Sequence, residues 1–313
     1  MTEHYWGWLI AIYLFLGGLG AGSFLTAAVL ELSGLRYKHE YSPTTLVGAS
    51  VGGPLILVGT VLLILDLGAG LREPWRILFM FTNFHSVMTW GIWILSLFLP
   101  TCFLYGAIEV MHVYPSILPW IHNRLRFLPI PETLPYRRIK RVLCSVGLVL
   151  AVGTAVYTGV LLSVVRAVPL WHTPILPILF LVSAISTGMG LTLDLSATLT
   201  LPQVPHRYKN LPLIHMGLIG LETALLALLL VLSLLRGGEA AESARLILFG
   251  SESVIFWVLI IGLGMVFPFI VHAYGFVRRS HGYLSGVLSG AGIVIAGLFV
   301  RYLIVAAAVP VVV

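Results

Sequence analysis

The sequence predicts an all-α membrane protein with eight transmembrane helices. Of its 313 residues, 59% are hydrophobic and 10% are charged, whereas a soluble domain carries roughly 25% charged residues. Nearly all the charges fall between or at the ends of apolar runs of roughly 18 residues or more, the length that crosses the hydrocarbon core of a bilayer. These observations exclude a water-soluble globule and favour one integral membrane domain over residues 1–313.

The apolar runs can be placed in order along the chain. The first follows a short lead without a basic n-region and is too long for a signal-peptide core, so we interpret it as a retained span. Glycine clusters inside the spans indicate close helix packing, and their recurrence in spans one and five suggests two four-helix bundles. The predicted spans are 5–32, 46–68, 87–110, 140–165, 175–200, 212–235, 247–273 and 283–309.

Basic residues are distributed unevenly between the two sets of loops. Twelve of the eighteen lie in or beside the loops 33–45, 111–139, 201–211 and 274–282, five lie in the opposite loops, and Arg301 lies inside the last span. Because cytoplasmic loops carry the excess of positive charge, we expect the 111–139 loop in the cytoplasm, in contact with lipid headgroups, and both termini outside. The net charge of +6 therefore reflects topology, and no pattern indicates nucleic-acid binding.

Ionisable residues inside spans are candidates for function, because a charge near the bilayer centre costs roughly 2.5–3.5 kcal/mol. Arg301 lies in the outer third of the last span, and Asp66 closes the second span at the same depth. We therefore predict that the two pair at a polar binding site. The alternatives are a purely structural ion pair and an Arg301 side chain that extends to the outer headgroups.

A second set of ionisable residues lies deeper. Glu222 is near mid-depth in span six, His215 lies two turns earlier on the same helix face, and Asp194 is in the inner third of span five. These three could form a file that carries protons from the cytoplasm, or Glu222 could be a buried carboxyl held neutral by a hydrogen bond. Three acids at span ends are expected to be solvated: Glu31, Glu109 and Glu252.

Two tyrosines and the metal-ligand residues complete the candidates. Tyr13 and Tyr157 lie in the outer thirds of their spans, where a buried hydroxyl needs a partner, although packing alone also explains each. Cys102 and Cys144 form no CxxC or CxxCH motif, so no iron–sulfur cluster, attached haem or other metal is expected in this chain. A b-type haem stays an alternative through two histidine pairs: His85 with His172, and His215 with His272.

Several segments closely resemble the NrfD/PsrC family, the integral-membrane subunit of nitrite-, polysulfide- and thiosulfate-type reductase complexes. They are residues 6–16 with the following Gly-Ala-Gly-Ser, residues 155–163, residues 174–188 and the span that holds Arg301. The resemblance extends over essentially the whole chain. It implies a haem-free subunit of the inner membrane that binds menaquinone or menaquinol, oxidises quinol, and translocates protons in some complexes.

The resemblance also implies partners and site residues. The partners are an extracytoplasmic four-cluster iron–sulfur subunit and often a molybdopterin catalytic subunit, which acts on the terminal substrate. His215 stands where the family has an acid. The implied quinone-binding residues are Tyr13, Tyr157, Asp66 and Arg301, and the implied catalytic residues are Asp66, Arg301, Glu222 and His215.

Most of these positions lie at outer depth, so we expect the iron–sulfur subunit to dock above them, on loops 69–86, 167–173 and 237–246. Aromatic and arginine side chains are typical anchors of such contacts. A secondary transporter is the competing function, but the polar positions are off-centre and no inverted repeat is visible. The candidate anchors are Arg72, Trp75, Arg76, His85, Trp171 and His172.

Overall fold

The computed structural model describes residues 7–35, 42–66, 81–114, 136–200, 211–278 and 283–311, and these contain helices and turns without strands. Eight of the helices are long and apolar enough to cross a membrane. This confirms the predicted eight-span, all-helical class. The position of the termini relative to the membrane stays a prediction.

The helices follow the chain with bounds close to the predicted spans. A π-helical stretch, Ile255–Val266, continues directly into α8, and the two together form the seventh span. The α-helices are α1 (Trp8–Leu32), α2 (Ser42–Asp66), α3 (Val87–Val113), α4 (Tyr136–Ser163), α5 (Ile175–Thr200), α6 (Leu211–Arg236), α7 (Gly238–Phe249), α8 (Phe267–Arg278) and α9 (Tyr283–Ala306).

The spans pack as two four-helix bundles, as predicted. In the first bundle α1 contacts α2 and α4, and α3 closes the ring between them; in the second, α5, α6, the seventh span and α9 form a similar ring. The bundles meet chiefly where α1 packs on α5. A Cβ atom at Gly22 of α1 would overlap the backbone of Ala184, and one at Gly188 of α5 would overlap that of Gly22. The glycine clusters therefore permit close helix contact at this interface.

One predicted outer loop is a helix. Positive φ angles at Gly237 and Gly238 turn the chain out of α6, and α7 follows over residues predicted to form the loop 237–246. Ala244 and Ile247 of α7 are buried in the second bundle, and the Val309 backbone N–H donates to Ser243 Oγ over 3.1 Å. The seventh span therefore begins at Ile255 rather than at residue 247, because residues 247–249 complete this amphipathic helix.

Two acids that the sequence placed in solvent are buried. Glu109 is fully buried in α3, and Glu31 of α1 is nearly so. Both form ion pairs with the buried ammonium group of Lys140, which is 3.0 Å from Glu31 Oε2. The expectation of solvation was wrong because helix-end positions in α1, α3 and α4 converge, so that opposite charges from three helices meet inside the bundle.

Candidate functional site

A narrow cleft lies inside the first bundle, towards the ends of α1 and α4 that carry the two candidate tyrosines. Its volume is about 30 Å³, enough for water molecules but not for an aromatic ring without side-chain movement. All four helices of the bundle contribute to its wall. The lining residues are Tyr13, Leu14, Gly17, Ile56, Gly59, Thr60, Leu63, Leu95, Thr154, Tyr157, Thr158 and Leu161.

The hydroxyl groups that line this cleft differ in their hydrogen bonding. Those of Thr60, Thr154 and Thr158 donate to carbonyl groups of their own helices over 2.7–2.9 Å. The Tyr157 hydroxyl is buried and makes no hydrogen bond among the described residues. A buried hydroxyl without a partner is uncommon, since its desolvation is uncompensated. The cleft therefore presents one free donor and acceptor group from α4.

Small residues and neighbouring charges position the tyrosines. A Cβ atom at Gly91 of α3 would overlap the Tyr157 phenol, so this glycine provides the space that the ring occupies. Tyr13, 8% exposed, interacts electrostatically with both Tyr157 and Asp66. Asp66 is exposed at the end of α2. Tyr13 and Tyr157 thus line the same cleft with Asp66 near Tyr13, and the assignment of these three residues to one binding site stays a prediction.

Arg301 lies elsewhere, between the two bundles, and is completely buried. Its Nη1 donates to Ser183 Oγ over 3.0 Å and to the Gly297 carbonyl over 2.9 Å. The guanidinium also lies 5.2 Å from the ring centroid of Phe180, a distance that permits a cation–π contact. Its Nε and Nη2 atoms have no hydrogen-bond partner in the described part of the chain.

The predicted pairing of Arg301 with Asp66 was wrong. The two residues form no ion pair within the described structure, and the acid that interacts electrostatically with Arg301 is Glu222 of α6. Similar depth in the membrane suggested the pairing, but Asp66 ends a helix of the first bundle, whereas Arg301 belongs to the second. Depth along a span does not tell which helix faces which.

A chain of polar side chains extends from Arg301 into the second bundle. The Glu222 carboxyl, which is 6% exposed, lies beside Ser183 and Ser186 of α5. Ser186 Oγ is in turn 3.5 Å from Nε2 of His215, a fully buried imidazole. Glu222 and His215 therefore lie along one series of polar side chains, which includes two serines that sequence reasoning missed, and the proton-carrying role of this file stays a prediction.

The file continues beyond His215. The ring of His272 in α8 lies 5.1 Å from that of His215, measured between centroids. Gly190 of α5 faces His215, and Asp194, one turn further along α5, packs against Gly290 of α9. The structure thus places Asp194 near the same gap between α5, α6 and α9. No cluster of three metal-ligating side chains occurs among the described residues.

The signal for the missed serines was present in the sequence. Ser183 and Ser186 are three residues apart on a helix, so they share a face, and both fall in the segment 174–188 that carries the family resemblance.

The residues predicted to anchor a partner subunit differ in their exposure. The prediction was wrong for Trp171, because its side chain is completely buried and its Nε1 donates to the Ile304 carbonyl over 2.7 Å. His85 and His172 are exposed as expected. Arg72, Trp75 and Arg76 lie outside the described residues.

Comparison with known proteins gives consistent matches over the full length. The family described as "Polysulphide reductase, NrfD" matches residues 1–313. The chain is 33% identical over 300 residues to one of the chains of polysulfide reductase from Wolinella succinogenes, covering 94% of this chain and 90% of that protein. It is 31% identical over 316 residues to protein NrfD of Escherichia coli, covering 96% and 93% of the two proteins.

A third relative is a subunit of selenate reductase from Mesobacillus selenatarsenatis, which is 25% identical over 319 residues, covering 96% of this chain and 73% of that protein. The names of these relatives describe subunits of different reductases, so similarity alone does not select a terminal substrate. The eight spans and these matches together confirm the resemblance found in the sequence: the chain belongs to the NrfD family of multi-pass membrane subunits of respiratory reductases in the bacterial inner membrane.

Proposed function

We propose that this chain is the quinone-binding membrane subunit of a respiratory oxidoreductase complex. It binds menaquinone or menaquinol in the cleft of the first bundle and exchanges electrons with an iron–sulfur subunit on the extracytoplasmic side. A molybdopterin subunit further along the series of carriers acts on the terminal substrate. Two of the relatives bear names that denote parts of larger enzymes, polysulfide reductase and selenate reductase, which supports the assignment to a complex.

The observation that carries the proposal is the buried Tyr157 hydroxyl, which has no hydrogen-bond partner among the described residues and lies in a cleft with a mostly apolar lining. A quinone presents carbonyl oxygens that accept hydrogen bonds, and a quinol presents hydroxyls that both donate and accept. The Tyr157 hydroxyl can serve either form by rotating its proton. The apolar walls suit the ring and the start of an isoprenoid tail.

Tyr13 and Asp66 complete the polar end of the cleft. Quinol oxidation releases two electrons and two protons, so the site requires a group that accepts protons near the hydrogen-bonding tyrosines. Asp66 interacts with Tyr13 and is exposed at the end of α2. It is therefore suited to pass protons from the cleft to the water at the same membrane surface, while electrons leave to the partner subunit.

The second bundle provides a separate route for protons. Glu222, Ser186 and His215 form a connected series, and in it Glu222 can bind a proton that enters past His215. Arg301 places a buried positive charge near this acid. We propose that this file moves protons between the cytoplasm and the interior of the protein when quinol is oxidised.

The cleft is tested by substituting Tyr157 in the full complex, reconstituted in proteoliposomes with a menaquinol analogue. Tyr157→Phe removes only the hydroxyl, so we expect weaker quinone binding and slower reduction of the partner's clusters. Tyr302→Phe is the matched control, since Tyr302 lies at a similar depth in α9 but stacks on Trp8, outside the cleft. Equal quinone affinity in both variants would refute the placement of the site.

The proton file is tested in the same vesicles with a pH-sensitive dye on each side. Glu222→Gln keeps the shape of the side chain but cannot ionise, so we expect lower turnover, unchanged quinone occupancy and no proton uptake from the cytoplasmic side. Glu242→Gln, at an exposed position on α7, is the control. Full activity with unchanged proton movement in Glu222→Gln would show that Glu222 is a structural acid.

A further inference from the structure

Arg301 lies directly behind the helix that forms one wall of the cleft. Gly17 of α1 lines the cleft, where a Cβ atom would be 3.8 Å from the Thr158 methyl group. The next residue, Gly18, faces another direction, because successive residues of a helix are separated by about 100°. A Cβ atom at Gly18 would be 2.6 Å from Nη2 of Arg301. Adjacent glycines thus face the cleft and the guanidinium.

The bonding of the guanidinium is one-sided. Nη1 holds both hydrogen bonds, to Ser183 and to the Gly297 carbonyl. Nη2, which lies at Gly18, and Nε have no hydrogen-bond partner among the described residues, although the side chain is wholly buried. In a low-dielectric interior, N–H donors without hydrogen-bond partners interact with other charges over longer distances than donors in water do. The free side of the cation therefore faces the glycine segment of α1, beyond which the cleft lies.

The other side of the cation is connected to the proton file. Ser183 accepts the hydrogen bond from Arg301 and lies beside Glu222, so the cation and the acid share this serine as a neighbour. Among the described residues, Glu222 is the acid near this position and approaches from α6. The hydroxyls of Ser183 and Ser186 come from α5, and His215 lies beyond Ser186.

From this geometry we infer that Arg301 is the positioning residue that couples the charge of the quinone cleft to proton binding at Glu222. The inference rests on the proposed quinone site and specifies how that site communicates with the second bundle. When the quinol has lost its first proton, the negative charge left in the cleft attracts the guanidinium group and so reduces its stabilisation of the Glu222 carboxylate. Glu222 then takes a proton from the His215 side.

The test is redox-difference infrared spectroscopy of the complex with bound menaquinone, which reports the quinone and carboxyl groups separately. In the wild type, we expect a carboxyl C=O band that changes when the quinone is reduced and that is lost in Glu222→Gln. In Arg301→Met the quinone signals should persist while the carboxyl response is lost. Arg301→Lys, which retains the charge, should restore part of that response.

Gly18→Ala provides a second variant in case Arg301→Met does not fold. Its new methyl group displaces Nη2, so the carboxyl response should shrink. Gly217→Ala in α6, where a Cβ atom meets open space, should behave as the wild type. If the quinone gives no signal in any protein, the proposed quinone site is wrong. If the quinone responds and the Glu222 band is the same in wild type, Arg301→Met and Gly18→Ala, the coupling by Arg301 is wrong.

Discussion

Arg301 lies between the two bundles, and a pair of double-mutant cycles identifies the acid with which its guanidinium group interacts. Arg301→Met removes a buried cation that hydrogen-bonds to Ser183 and interacts with Glu222. A buried charge that has lost its partner costs the protein about 3–5 kcal/mol of stability. In the double variant with Glu222→Gln no charge is left unpaired. The double variant should therefore be more stable than the sum of the single changes predicts, by roughly 0.5–3 kcal/mol.

The second cycle combines Arg301→Met with Asp66→Asn. Asp66 shares none of the hydrogen-bond partners of Arg301 and forms no ion pair with it in the described structure. The changes in unfolding free energy caused by Asp66→Asn and by Arg301→Met should therefore add within about 0.5 kcal/mol. Both cycles are measured by denaturant unfolding of the purified protein in detergent micelles. Strong coupling to Asp66 together with additivity at Glu222 would refute our reasoning and restore the pairing that the sequence suggested.

Three further predictions follow from individual residues. Gly91→Ala should lower quinone affinity as Tyr157→Phe does, because its methyl group overlaps the Tyr157 phenol; a binding titration with a quinone analogue that shows no change would contradict this. Trp171→Phe should destabilise the protein by about 1–3 kcal/mol through loss of the bond to the Ile304 carbonyl, while crosslinking to the partner stays intact. A cysteine placed in residues 111–139 should react with a membrane-impermeant thiol reagent only after cells are opened; labelling of intact cells would invert the topology.

Span number and span position could be predicted from the sequence because they depend on hydrophobic length alone. The same holds for the depth of each ionisable residue, which counting along a span gives directly. Tyr13, Tyr157 and Asp66 were assigned to one site in this way; the two tyrosines line the same cleft and Asp66 is near Tyr13. Helix α7 was missed because its sequence is too short and too polar to indicate a membrane span. Its small and charged residues were therefore interpreted as a loop.

Lateral neighbours could not be predicted, since a periodic apolar helix offers several faces and the sequence does not say which neighbour each face meets. Depth along the spans favoured Asp66 as the acid near Arg301, whereas the packing of α5, α6 and α9 places Glu222 there. The cluster of Lys140 with Glu31 and Glu109 shows the same difficulty. Each of these residues lies near a helix end, where solvation is the ordinary outcome, and burial follows only from the convergence of three helices.

Helix α1 separates the two polar systems to which we assign quinone binding and proton transfer. If the cleft and the Glu222 file were continuous, protons released by quinol at the proposed site would move freely between the two membrane surfaces and the proposed mechanism would build no gradient. A wall of bulky side chains would prevent this but would also place Arg301 too far away to respond to charge in the cleft. The glycine segment of α1 keeps a closed backbone wall, with all its peptide groups hydrogen-bonded within the helix, yet brings the guanidinium against Gly18. In the mechanism that we propose, charge in the cleft therefore acts on Arg301 across α1, whereas protons do not pass.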